Sequence, residues 1–170
     1  RKWSEAVLYV GDYYFDSHKF REAAQRYHLL FNKSSTLRDY AEYKLAWCEL
    51  NTGDPKKALK SMKKLIVRLD KNVEEGKFNL RDQALKDLVS FYAEAELVDD
   101  AMEFFTEMQT KDKALSNLRL LADIYRTKAK YEAAISAYTK LIAEFPGGLD
   151  TPNLYLGLYD SQARLGKSAA

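Results

Sequence analysis

A short phrase recurs in this chain about every 34 residues, and that period limits the folds open to it more than any other feature. The phrase reads FREAAQRYHLL around Ala23, PKKALKSMKKL around Ala58, VDDAMEFFTEM around Ala101 and YEAAISAYTKL around Ala134. The four alanines lie 35, 43 and 33 residues apart. In each copy an apolar residue stands three positions before the alanine. A large apolar side chain follows four after it (Tyr27, Met62, Phe105, Tyr138), and another three later (Leu30, Leu65, Met108, Leu141). Spacings of three and four mark one face of a helix. A helix repeated at this period reads as half of a hairpin, and a row of hairpins buries its apolar faces only by stacking. The predicted fold class is therefore all-α: a right-handed superhelical solenoid of antiparallel helix hairpins, with about four and a half repeats. Residues 1–170 read as a single array and as a segment of a longer protein, because the last helix lacks a following partner.

Composition supports an all-helical class. Three prolines and seven glycines are few for a β protein, while Ala, Leu, Lys and Glu are abundant. A formal net charge of +2 gives no strong field to recruit nucleic acid or an anionic membrane. The lysines of PKKALKSMKK read as the solvated face of a helix whose other face is apolar. No run of about 18 apolar residues exists, so no membrane-inserted helix is expected. Cys48 cannot form an internal disulfide and reads as a small buried residue, which does not decide the compartment.

The pattern predicts nine helices, over 3–15, 19–32, 37–51, 55–69, 79–95, 98–110, 113–128, 131–145 and 152–166. Thr36 with Asp39, and Asn79 with Asp82, resemble capping boxes. Asp54-Pro55 and Thr151-Pro152 each place a cap residue before a proline at the first helical position. Gly53 is placed to end a helix in the left-handed conformation. The expected inward positions of the first helices are Val7, Val10, Gly11 and Tyr14; Ala41, Leu45, Ala46 and Cys48; Leu85, Leu88, Val89 and Tyr92; and Leu118, Leu121, Ala122 and Tyr125. Gly11, Ala46 and Ala122 admit a close partner helix, while Val89 should widen its hairpin slightly. The step from Ala58 to Ala101 is about nine residues too long for the period, and the excess falls in RLDKNVEEGKFNL around Gly76, read as a tolerated surface insertion.

These spacings and the alanine-aromatic phrase resemble the tetratricopeptide repeat over about residues 4–146, with the first helix of a further repeat beyond. The family's turn glycine is present only as Gly53, with His18, Glu96 and Ala129 at the equivalent places, and its closing proline only as Pro146. The phrases YAEYKLAWCELNTGDPKKAL and ALKDLVSFYAEAELVDDAMEFF are also similar to envelope-associated tetratricopeptide proteins of predatory and gliding bacteria, of gliding-motility and Tol-Pal-coordinator type. That resemblance implies a periplasmic or outer-membrane-associated scaffold.

Catalytic patterns do not emerge. His18 and His28 lack a ligand-spaced Cys, Asp or Glu, so they read as surface histidines and no metal site is expected. Asp99-Asp100 suits a helix start, where carboxylates meet the positive end of the dipole. No Gly-rich phosphate loop or Ser/His/Asp arrangement appears. No enzyme activity and no cofactor are expected. The aromatics do not interleave with a basic stripe, which argues against nucleic acid.

What remains is a surface. A second stripe on the third helix holds Tyr40, Tyr43, Trp47 and Leu50, and it faces either the concave groove or the neighbouring repeat. The equivalent places give Leu8, Asp12 and Phe15 in the first helix, Lys86, Ser90 and Ala93 in the fifth, and Arg119, Asp123 and Arg126 in the seventh. For the last three, ion pairs within the helix are the plainer reading. The family's carboxylate clamp needs Lys and Asn where this chain has Leu8 and Asp12, so that clamp is absent. The expected partner is a protein or peptide held in the groove, aromatic near the N-terminus and charged toward the C-terminus, with further contacts to flanking repeats. The alternative is a structural spacer inside a longer repeat protein, with no ligand in this segment.

Overall fold

The computed structural model describes residues 2–32, 35–70, 80–148 and 150–168. Among them are nine helices and no strand: α1 (Lys2–Asp16), α2 (Phe20–His28), α3 (Ser35–Asn51), α4 (Pro55–Asp70), α5 (Leu80–Ala95), α6 (Val98–Met108), α7 (Lys111–Thr127), α8 (Tyr131–Glu144) and α9 (Thr151–Ser168). The all-helical class and the hairpin order are as the period predicts. The side chain of Thr36, the residue Asn79 and the expected insertion around Gly76 lie outside the described residues.

Two edges differ from expectation for physical reasons. α2 ends at His28 rather than near Asn32, because the amides of Leu29, Leu30 and Phe31 turn back to the carbonyls three residues before them. α9 starts at Thr151, with the Asp150 carbonyl accepting from Asn153 and Leu154 at 3.0 and 3.1 Å. Thr151 is therefore not the cap, and Pro152 is the second helical residue. Asp54 caps α4 as expected, its carboxylate accepting from the Lys57 amide at 3.1 Å.

The turns between paired helices share one geometry. His18, Gly53, Glu96 and Ala129 all have positive φ, at 58, 91, 57 and 58°. In three of them the flanking amides close a Schellman motif, as where Lys19 donates to Tyr14 and His18 to Phe15, both at 2.9 Å. Gly53 adopts this conformation freely, whereas the other three carry a Cβ against the backbone. A turn this short forces the next helix to run antiparallel.

The chain divides into two compact units, residues 1–91 and 92–170. In the first, α1 packs on α2, α2 on α3 and α3 on α4. Ala23, Tyr27, Leu30, Ala41 and Cys48 form a buried cluster between α2 and α3. Burial pushes the Cys48 thiol up to about 12. On α4, Ala58, Met62, Leu65 and Ile66 are buried, and burying each of the larger three is worth about 1.5–3 kcal/mol. Gly11 leaves room for α2 to pack on α1, since a Cβ there would stand 2.8 Å from Cε1 of Tyr27. Val10 corrects the sequence reading: it is 37 % exposed instead of inward.

In the second unit α6 packs on α7, α7 on α8 and α8 on α9. Leu118, Leu121, Ala122 and Tyr125 are buried on α7, and Ala134, Ala137, Tyr138 and Leu141 on α8. Gly157 repeats the role of Gly11, since a Cβ there would stand 2.4 Å from Cζ of Tyr138. The sequence of the last helix carries an apolar row, Leu154, Leu158 and Leu165, but that row is not the open side of α9. Leu154 is buried, and the exposed apolar residues are Tyr155, Leu156 and Tyr159.

Candidate functional site

In the first unit the ends of α1 and α3 flank an open cavity of about 490 Å³, lined by Phe15, Asp16, His18, Phe20, Tyr43, Lys44, Trp47 and Asn51. The repeat explains the placement. Asp16 and Asn51 are the last residues of the two first helices, one repeat apart, and both helices end on the same side. Phe15 meets Phe20 edge-on at 5.4 Å between centroids, which fixes the aromatic wall across the first turn.

Tyr43 and Trp47 serve two contacts each. Trp47 meets Phe91 of α5 edge-on at 4.9 Å, and the Tyr43 hydroxyl donates to Asp87 of α5. Gln83 holds the other oxygen of Asp87 at 3.0 Å. Both aromatic rings remain partly exposed and also line the cavity. Burial, and then the bond to Asp87, raises the ionisation of the Tyr43 hydroxyl well above its ordinary range. Asn51 donates to the Trp47 carbonyl at 2.8 Å, which closes the last turn of α3.

Lys44 is held from three sides. Its ammonium lies 3.7 Å from Asp12, 4.2 Å from the Phe15 ring centroid and 5.7 Å from that of Tyr40. Tyr40 itself is pushed up to about 12 by burial and by the charges of Asp12 and Asp16. Asp12 also accepts the hydroxyl of Tyr27 at 2.7 Å.

Of the residues singled out from sequence, Phe15, Tyr43 and Trp47 share this cavity, and Tyr40 and Asp12 stand behind it around Lys44. Leu8 packs against the α2–α3 core cluster, as Phe15 also does. Lys86 and Ser90 lie exposed on α5, while Ala93, expected on the same stripe, is buried. Asp16, His18, Phe20, Lys44 and Asn51 were not singled out. The signal that could have found Asp16 and Asn51 is their common place in the repeat, at helix ends whose last turns hold no basic residue.

The charged residues of α7 belong to the second unit and are engaged there. Arg119 pairs with Asp150 at 2.6 Å, and more distantly with Asp123 at 3.9 Å. Arg126 contacts Asp160 at 3.1 Å, the Tyr138 hydroxyl at 3.3 Å and Asp123 at 3.5 Å. The shortest ion pairs thus reach to Asp150 and to α9 instead of running along α7. The bonds it donates to the Tyr138 hydroxyl and to Asp160 raise the guanidinium of Arg126 further above its ordinary range.

No helix among the described residues is long and apolar enough to cross a membrane. Residues 40–68 match one tetratricopeptide repeat family, and residues 120–146 match a second. No curated protein sequence matches the chain. Among solved structures it is similar to nearly identical TPR-like repeats of a Podosopora anserina protein of kinesin-light-chain type. The identity is 13 % and the TM-score 0.55, with 96 % of this chain and 86 % of that one covered. It is also similar to the TPR2AB domain of yeast Sti1 in complex with pHSP90. There the identity is 16 % and the TM-score 0.50, with 96 % of this chain and 71 % of that one covered. At these identities the likeness concerns the fold. Two helix pairs, at residues 40–68 and 120–146, thus match tetratricopeptide repeat models, and the all-helical fold is similar to that of solved repeat structures.

Proposed function

We propose that this chain is a non-catalytic protein-interaction scaffold, and that its first unit holds a segment of a partner protein against Phe15, Tyr43 and Trp47. The carrying observation is the cavity of about 490 Å³ at the ends of α1 and α3, with aromatic faces on its walls. Such faces give large contact area at small conformational cost, and they dominate many interfaces once desolvated. The repeat fold supports the class, since one structural neighbour is solved in complex with pHSP90. This chain differs from a carboxylate clamp at Leu8 and Asp12, so the ligand chemistry is its own.

The test is capture of partners by the wild type and by Trp47→Ala. It is followed by titration of the captured segment against Trp47 fluorescence in a Trp3→Phe background. Truncating Trp47 should cost about 2 kcal/mol or more of binding. Equal capture by the two proteins overturns the reading.

A second reading has its own observation. Trp47 on Phe91 and Tyr43 on Asp87 are contacts a spacer would need in order to stack its helices. On that reading Trp47→Ala lowers stability and leaves every binding property unchanged. We further propose a bacterial periplasmic or outer-membrane-associated setting within a longer repeat protein, on the resemblance of the α3–α4 and α5–α6 phrases alone. Fractionation of the native host, with the protein found only in the cytosol, removes that proposal.

A further inference from the structure

We infer that the cavity at the ends of α1 and α3 receives a cationic side chain, an arginine of the partner segment. This inference rests on the groove reading above and gives it a chemistry. Three features of the cavity favour positive charge.

The first is the pair of helix ends. α1 closes at Asp16 and α3 at Asn51, and both residues line the cavity. A helix C-terminus carries negative partial charge from its last carbonyls, which Lys, Arg or His in the final turn can offset. Neither α1 nor α3 has a basic residue in its last turn. Asp16 adds a full negative charge at an end where a carboxylate is unfavourable for the helix itself.

The second is the balance of charge around the walls. Lys44, the one lysine or arginine of the lining, is offset by Asp12 at 3.7 Å. Asp16 has no ion-pair partner among the described residues, so the lining is left with one uncompensated negative charge.

The third is the aromatic wall. The Lys44 ammonium already lies 4.2 Å from the Phe15 centroid, so a cation rests on this surface within the folded chain. Trp47 and Tyr43 offer further ring faces beside it. A planar guanidinium stacks on such faces and can turn its remaining donors to a carboxylate, whereas a compact ammonium does one or the other less well.

The experiment uses the full chain carrying Trp3→Phe, so that Trp47 is the sole tryptophan. Its fluorescence is followed at low salt during titration with three blocked tripeptides, Gly-Arg-Gly, Gly-norleucine-Gly and Gly-Glu-Gly. The arginine peptide should bind saturably and at least about fivefold tighter than the norleucine peptide. Added salt should weaken it, and Asp16→Asn should reduce its affinity by about fivefold while leaving norleucine binding unchanged. Asp16 is exposed at the end of α1, so this variant keeps the fold, and circular dichroism confirms that in the same sample. If norleucine binds as tightly as arginine, the cationic assignment is overturned while the groove reading stands. Preferred binding of the glutamate peptide overturns it in favour of Lys44. Silence toward all three removes the assignment and the aromatic groove together.

Discussion

The hydroxyl of Tyr27 donates to Asp12 at 2.7 Å, joining α2 to the exposed side of α1 from within the core. The same bond recurs 15 residues apart in a second hairpin, where Tyr138 donates to Asp123 at 2.5 Å. The two intervening repeats place Met62 and Phe105 at the tyrosine position and Trp47 and Ser90 at the aspartate position. Acceptor and donor therefore come and go together, as expected when a buried hydroxyl needs a partner. Tyr27→Phe should destabilise the chain by about 1 kcal/mol, and Asp12→Ala by more, up to about 3 kcal/mol, because it leaves the hydroxyl unpaired. Denaturant melts of the two single variants and the double variant measure this. Strictly additive losses would refute the coupling.

The left-handed turns give substitutions of opposite sign. Ala129 holds φ at 58°, which glycine adopts without strain. Ala129→Gly should raise stability by about 0.5–1 kcal/mol, the relief of the strained conformation less the added freedom of the unfolded chain. Gly53→Ala should lower it by about 1 kcal/mol. A Cβ at Gly53 would meet no atom within 4 Å, so this loss is purely conformational. Midpoints that move the same way in both variants contradict the account.

Gly157 tests close packing instead of backbone freedom. An added Cβ would stand 2.4 Å from the Tyr138 ring, whose hydroxyl is fixed by Asp123 and Arg126. Gly157→Ala should cost about 1–3 kcal/mol by overpacking. Tyr138→Leu in the same chain should recover part of that loss. A Gly157→Ala protein as stable as the wild type would show that α8 and α9 separate at no cost.

Alkaline pH should unfold the chain through its tyrosines. An unfolded tyrosine ionises near about 10. Tyr40 and Tyr138 are each pushed up to about 12, by burial first and then by Asp12 and Asp16 or by Asp123. The folded state thus keeps protons that the unfolded state loses. Stability from these groups is complete below pH of about 10 and declines as pH rises through about 12. Unfolding midpoints measured across this window check it, and replacing Tyr138 by Phe should flatten part of the slope.

Trp47 and Leu45 should separate on stability. Leu45 is buried on α3, and Leu45→Ala should cost about 2–5 kcal/mol. Trp47 is half-buried with one edge on Phe91, so Trp47→Ala should cost less, about 1–2 kcal/mol. Thermal melts of the two variants decide it. Equal collapse would make Trp47 a core residue.

The sequence revealed whatever repeats with the backbone. Asp54, Pro55 and Gly53 marked one turn, and the period carried that turn to His18, Glu96 and Ala129 although none of them is glycine. The inward stripes of α5 and α7 were equally legible, because helical spacing selects them directly. Side chains that reach between helices were not. Arg119 finds Asp150 and Arg126 finds Asp160, partners 31 and 34 residues away that no spacing within one helix suggests. Val10 on α1 was misjudged for a related reason. The equivalent places on α5 and α7, Leu88 and Leu121, are buried whereas Val10 is exposed, and spacing along one helix does not distinguish the two. The cavity was half legible. Its aromatics stood out by size, while Asp16 and Asn51 matter through the helix ends they occupy.

Cys48 equips the first unit with a clock. Its thiol is sealed between α2 and α3, and burial keeps it protonated far above neutral pH. A thiol reagent in solution can modify it only during moments when those two helices part, since the thiolate is the reactive form. The rate of labelling of the native protein, compared with that of the unfolded chain, therefore counts how often neighbouring repeats come apart. A bound partner segment that spans α1 and α3 would be heard as a slowing of that count, without any label having been introduced.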